Sequence, residues 1–294
     1  MDRILFGDNQ FFGVNHMSEE KARAQAMRFR DLPSILRVLD TAYEHGIRTF
    51  MCTTHDRIAE VCDHVRAHPD RYTDFKFYPG MPYAHKYANA VTELGIIDAV
   101  KKFLPGSFFG TLFQGGKALV TKDFLSMMKL MVDAEMKMFE GLNTEVVFLQ
   151  NVLTDLLLGL GFKDVFKAFA EHIQARYKAE PAFFTMNLPR LLDTLEECGI
   201  ENPIICASIN KIGFRMCGGR EAYEKTIAEK RFRPVAMSVF ASGAIPPREA
   251  LQYVCGQKNI RSIVFGASSE SHIRQTKEMI EHFSSGNTGS CARN

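Results

Sequence analysis

Eight short apolar runs, separated by helical patterns, predict a single (β/α)8 TIM barrel. The runs are apolar on both faces, as parallel strands covered by helices are. The 294 residues suit one barrel of roughly 250 residues with additions, although two domains of about 150 also suit that length. A doubly wound sheet is the competing architecture. Its glycine-rich first turn is missing, because Gly7-Asp8-Asn9-Gln10-Phe11-Phe12-Gly13 lacks the G-x-G-x-x-G spacing.

The predicted strands are Ile4–Gly7, Arg48–Thr53, Asp74–Tyr78, Glu145–Gln150, Ala182–Met186, Pro203–Ser208, Pro234–Phe240 and Arg261–Gly266. The helices between them have recognisable ends. Asp31-Leu32-Pro33 supplies a cap and an early proline, and Gly46 closes that helix. Asp123 caps a helix that stops at Gly141, Pro189 starts one that stops at Gly199, and Pro246-Pro247 starts another. Glu270–Phe283 closes the barrel.

Two additions exceed the minimal repeat: an extra helix over Ser18–Phe29 and a long insertion between strands three and four. The insertion includes the turn-rich link Pro105–Lys122, with Gly110, Gly115 and Gly116. Segments that follow barrel strands lie over the mouth, so both additions are candidate lids. Met127, Met128, Met131, Met136 and Met138 recur at helical spacing, the pattern of a core or subunit contact. Residues 1–283 form the expected domain and 284–294 a disordered tail.

Apolar residues at 46% supply enough surface for a core, which excludes a disordered chain. Lys and Arg number 36 against 34 Asp and Glu, so the net charge is +2. That balance lacks the footprint of a general nucleic-acid binder. Neither a signal peptide nor a stretch of about 20 apolar residues is present, so no membrane partner is expected. Seven cysteines, an odd number without a CxxC pair, fit a reducing cytoplasm. The expected partner is a small-molecule substrate, and the sequence leaves the oligomeric state open.

Three segments carry a resemblance. They are Leu39-Asp40-Thr41-Ala42-Tyr43-Glu44-His45-Gly46-Ile47-Arg48-Thr49-Phe50, Thr185-Met186-Asn187-Leu188-Pro189, and Ile263-Val264-Phe265-Gly266-Ala267-Ser268-Ser269-Glu270-Ser271-His272-Ile273. In order and texture they resemble the first helix, fifth strand and eighth-strand cofactor motif of the aldo-keto reductases. The resemblance implies a reductase barrel that grips the phosphates of NADP near its last strand. It also implies an Asp and a Tyr after strand two, a Lys on strand three and a His on strand four. Here those positions fall on Met51, on Asp56 beside His55, on Tyr78 with Lys76 two residues earlier, and on Gln150. The family's set is replaced, so ordinary carbonyl reduction is not the expected chemistry.

Sites in this fold collect at the C-terminal ends of the strands. Polar residues recur there: Asp8, Asn9, Gln10, Asn15 and His16, then Thr53, Thr54, His55 and Asp56. They continue with Tyr78, Tyr83, His85, Gln150, Asn151, Asp155, Asn187, Asn210, Lys211, Ser238 and Ser242. His55, Asp56, Tyr78 and Lys211 are the catalytic candidates, with His55 as the acid–base group. Asn9, Gln10, His16, Tyr83, His85, Gln150, Asn151, Asn187 and Asn210 are the substrate-binding candidates. The loops with Ser242 and Gly243, and with Gly266, Ser268, Ser269 and Arg274, are the candidate site for NADP or another phosphate-bearing ligand. His16, His55 and His85 with an Asp offer metal-ligand chemistry, but without local H-x-x-x-H spacing no metal site is assigned. Lys211 offers a Schiff base. Three functions stay open at this point. The chain is an enzyme on a small polar substrate, a non-catalytic nucleotide-binding barrel, or a metal- or Schiff-base-dependent lyase.

Overall fold

In a computed structural model, residues 1–14, 18–83, 117–257 and 259–285 are described. Eight parallel strands close in sequence order: β1 Ile4–Gly7, β2 Thr49–Thr53, β3 Lys76–Met81, β4 Val146–Leu149, β5 Glu180–Thr185, β6 Ile204–Ser208, β7 Arg233–Met237 and β8 Ser262–Phe265. β1 pairs with both β2 and β8, which completes the ring. The helices are α1 Glu19–Arg28, α2 Leu32–Glu44, α3 Asp56–Ala67, α4 Lys117–Met136, α5 Asn151–Leu160, α6 Asp164–Tyr177, α7 Leu188–Glu197, α8 Arg220–Glu229, α9 Pro247–Gly256 and α10 Glu270–Ser285.

Side-chain caps set the starts of the first three helices. The Ser18 hydroxyl accepts from Lys21 N–H at 3.2 Å, and Asp31 Oδ1 accepts from Ser34 N–H at 2.9 Å. Two expectations are corrected, the cap at Asp123 and the end of the last helix. Asp123 lies within α4, which begins six residues earlier, so it does not cap that helix. β4 and β5 are joined by two helices, because Gly161 turns the chain at φ 71° between α5 and α6. The closing helix α10 continues two residues past Phe283, to Ser285, and residues 286–294 of the expected tail lie outside the described residues. Gly110, Gly115, Gly116 and most of the 105–122 link lie outside the described residues.

Strand residues alternate between lumen and helix layer. Leu5, Met51, Tyr78, Val146, Phe148, Ala182, Ile204, Cys206 and Val235 fill the lumen. Their neighbours, such as Phe6, Phe50, Phe77, Phe183 and Ile263, face the helices, with Met128 and Met136 of the methionine-rich α4 in the same core. The N-terminal end of the lumen is polar. Lys76 Nζ lies 3.3 Å from Glu145 and 3.7 Å from Asp2, and Arg233 pairs with Glu180 at 2.6 Å.

β3 runs three residues past its predicted end. Pro79 and Gly80 look like a stop, yet both stay in register, opposite Cys52 and Thr53. Gly80 is required there by packing. A Cβ on it would sit 2.8 Å from Phe184 Cε2, and Phe184 stacks near Phe148 at 4.6 Å between ring centroids. Gly80→Ala should therefore cost about 1–3 kcal/mol by overpacking. Phe184→Leu in the Gly80→Ala background should recover part of that loss in urea unfolding. Equal midpoints for wild type and Gly80→Ala would show that the ring moves freely.

Candidate active site

A cavity of about 310 Å³ opens at the C-terminal ends of the strands. Phe184, Met51, Met237 and Val264 form apolar lining, and Asp8, Asn9, Thr53, Tyr83, Gln150, Asn151, Arg215 and Ser238 bring polar groups. That volume and mixture suit a small metabolite.

Asp8 is the buried carboxyl among the described residues of this cavity, with 6% of its surface exposed. Thr53 N–H and Thr53 Oγ1–H both donate to its Oδ2 at 2.7 Å, which ties the ends of β1 and β2 together. Burial pushes its carboxyl above the usual range, and the Thr53 hydrogen bonds oppose that shift without cancelling it. Burial, with the charge of Asp8 adding to it, also raises the Cys52 thiol well above its ordinary range and raises the Tyr83 phenol. Neither group is poised to ionise near neutrality. A carboxyl shifted upward in a pocket is suited to giving and taking a proton.

His55 is placed differently from its expected role. It precedes α3 as the cap residue, and its Nδ1 accepts from Arg57 N–H at 3.1 Å. Its ring stacks on Phe12 at 4.2 Å and lies 6.1 Å from the Tyr83 ring. Phe12 and Tyr83 line the cavity, whereas His55 is absent from the lining. Asp56 occupies the exposed first turn of α3, where a negative charge complements the helix dipole. Tyr78 is turned away from the mouth. It is fully buried in mid-strand, and its hydroxyl donates to Glu145 Oε2 at 3.3 Å, towards the N-terminal end of the barrel. Lys211 Nζ pairs with Glu249 at 2.6 Å, both half exposed, so it is a solvated ion pair outside the cavity.

The amides divide. Asn9, Gln150 and Asn151 line the cavity with Tyr83. Gln10 does not. Its Nε2 donates to Gly7 O at 2.8 Å, and its Oε1 packs against Gly266 so closely that a Cβ there would lie 2.0 Å away. Asn210 is consumed by its own loop: Nδ2 donates to Phe214 O and Oδ1 accepts from Phe214 N–H, each at 2.8 Å. Asn187 starts α7 without a side-chain cap bond and lies outside the lining. His16 and His85 lie outside the described residues. Among the described residues no group of His, Cys, Asp and Glu could hold a metal, and no helix is long and apolar enough to cross a membrane.

The loops after β7 and β8 lie beside the cavity, which Ser238 and Val264 border. Ser238, Ala241 and Ser242 all have positive φ, at 54°, 46° and 57°, followed by Gly243 at 91°. Each of the three side-chain-bearing residues costs about 1–3 kcal/mol in such a conformation. Ser268 and Ser269 precede α10, and Arg274 lies one turn in, facing Glu278 at 3.7 Å. Helix α1 reaches the same place. Arg28 donates to Ser268 O at 2.5 Å, and α1 crosses so near Gly13 that a Cβ there would lie 2.5 Å from Ala22 O.

Arg215 is not legible as a site residue in the sequence, because nothing in Gly213-Phe214-Arg215-Met216 marks it. Asp8 was visible only as one polar residue among many.

No family model and no curated protein matches the sequence. Several solved structures are similar to it. A candidate aldo-keto reductase of Pseudomonas aeruginosa is 15% identical, over 96% of this chain and 90% of its own, with a TM-score of 0.58. The holo form of an aldo-keto reductase from Bacillus halodurans is 14% identical, over 95% and 86%, with a TM-score of 0.54. A single-residue variant of Gox0644 in complex with NADPH is 8% identical, over 97% and 89%, with a TM-score of 0.51. The chain therefore has the eight-stranded parallel barrel fold of the aldo-keto reductases.

Proposed function

We propose that this barrel is an enzyme acting on a small polar substrate, with Asp8 as its acid–base group. The observation that carries the proposal is a buried carboxyl of raised pKa lining the mouth cavity. Asn9, Gln150 and Asn151 orient the substrate by hydrogen bonds. His55, held as a helix cap behind Phe12, supports that wall of the cavity.

A phosphate-bearing ligand, with NADP as the leading candidate, belongs at the loops after β7 and β8. The donor set fits a phosphate: the Ser242, Ser268 and Ser269 hydroxyls, the start of the 16-residue α10, and the Arg274 guanidinium. Glu270 in the first turn of α10 opposes an anion and sets a limit on that affinity. A nicotinamide held by those loops would supply hydride chemistry. Asp8 exchanges a proton with the substrate, and the apolar wall of Phe184, Met237 and Val264 excludes water. The NADPH complex and the holo form among the similar structures support a nucleotide ligand.

Three outcomes test this. NADPH at about 100 times its dissociation constant should stabilise the protein by roughly 2.7 kcal/mol, read as a melting shift. Ser269→Asp combined with Arg274→Glu should abolish the shift, and a wild type indifferent to nucleotides would count against the site.

Simple aldehydes should support negligible NADPH oxidation. The cavity phenol, Tyr83, is shifted upward and has no lysine among the lining residues. General acid help of that kind is worth about 10²–10⁴ in rate. Robust aldehyde turnover would reinstate ordinary carbonyl reduction.

Asp8→Asn should lower turnover of any substrate found by a similar factor. The folded chain holds the Asp8 proton to higher pH than the unfolded chain does. Stability from this group is thus present below its ordinary range and lost as pH rises through the raised value. Asp8→Asn does not titrate, so its stability relative to wild type should increase over that interval in denaturant melts. Parallel pH profiles for the two proteins would remove the raised carboxyl.

A further inference from the structure

Arg215 and Asp8 are the charged side chains among the described residues of the cavity lining, and the proposed proton transfer uses only Asp8. The two do not neutralise each other by contact. The Asp8 carboxylate is taken by Thr53, and among the described residues no carboxylate forms an ion pair with Arg215. Its cationic neighbours are paired, Lys211 with Glu249 and Arg220 with Glu221 and Glu224.

The loop between β6 and α8 fixes the backbone on both sides of Arg215, whose side chain is exposed at the mouth. On one side the Asn210 amide clamps both polar groups of Phe214. On the other, Met216 is buried and Cys217 N–H donates to the carbonyl of Met186, itself a lining residue, at 2.9 Å. Arg215 has φ 56°, a conformation that side chains avoid and glycine accepts. Gly213, Gly218 and Gly219 take the other positive-φ positions of the loop. At residue 215 a charged side chain stands where glycine would be relaxed, and strain of this kind gathers at ligand clamps.

We infer that Arg215 docks an oxyanion of the substrate, a carboxylate or phosphoryl group, so that the cavity selects small organic acids. The planar fork of guanidinium matches either group with two parallel hydrogen bonds. The inference rests on the cavity being the substrate site, and a volume of about 310 Å³ limits the acid to metabolite size.

The test is thermal melting at fixed ionic strength of wild type, Arg215→Gly and Arg215→Lys. The probes are succinate and glycerol phosphate, each beside its uncharged counterpart, succinamide and glycerol. Arg215→Gly releases the strained backbone, so it should melt at or above the wild-type temperature without ligand, which separates lost binding from lost folding. At least one acid should stabilise wild type where its uncharged counterpart does not. Arg215→Gly should bind that acid about 10- to 100-fold more weakly. Arg215→Lys should fall between, because an ammonium lacks the fork. A response to succinate alone assigns a carboxylate, and one to glycerol phosphate alone a phosphoryl group. If neither acid stabilises wild type beyond its uncharged counterpart, or if Arg215→Gly responds as wild type does, the inference is overturned. NADPH melts of the same three proteins keep the two proposals apart. NADPH protection without an acid response removes only the role of Arg215, and an Arg215-dependent acid response without NADPH protection removes only the nucleotide.

Discussion

The width of the lumen governs everything above it. Eight strands closed in a ring leave space only for side chains from alternating positions. Below the mouth that space is taken by Tyr78, Met51, Phe148 and their neighbours. At the next level Gly80 withdraws its side chain, and Phe184 occupies the vacated space. The ring of Phe184 is thus a floor, and the cavity is what remains between that floor and the loops. A bulkier residue at position 80 would displace Phe184, and with it the surface on which a ligand rests.

The loops above the floor are stiffened by polar groups that resemble binding residues in sequence. Asn210 braces the loop after β6, Gln10 fastens the turn after β1 to Gly7, and His55 caps α3. Strain collects in the same region. Of the six side-chain-bearing residues with positive φ among the described residues, Arg215, Ser238, Ala241 and Ser242 belong to the loops after β6 and β7. Bracing and strain go together, since a strained backbone persists only where its surroundings over-determine it.

The strands were legible because each is a short run, apolar on both faces, between turn signals. In β3, Pro79-Gly80 is a breaker pair by local rules, but a lumen position opposite Phe184 needs a residue without a side chain, and the packing overrode the local preference. That three-residue shift moved Tyr78 from the mouth to mid-strand. Position in sequence indicated which residues follow each strand but not which way they face. His55 and Asp56 follow β2, and the helix begins there, so both serve its first turn. Asp8 carries a weaker sequence signal than the histidines, because its burial and its two bonds to Thr53 exist only once β1 and β2 are neighbours. Arg215 became visible only when the loop folded back over the mouth.

The packed lumen and the ionic network of Lys76, Asp2 and Glu145 at its far end have a kinetic consequence. Among the described residues the vessel is blind at the bottom, and it opens among the strand-end loops. Two guests that share such a vessel cannot pass one another, so whichever sits deeper must arrive first and depart last. The order of arrival and departure would then be dictated by plumbing, whatever the relative affinities of the two guests.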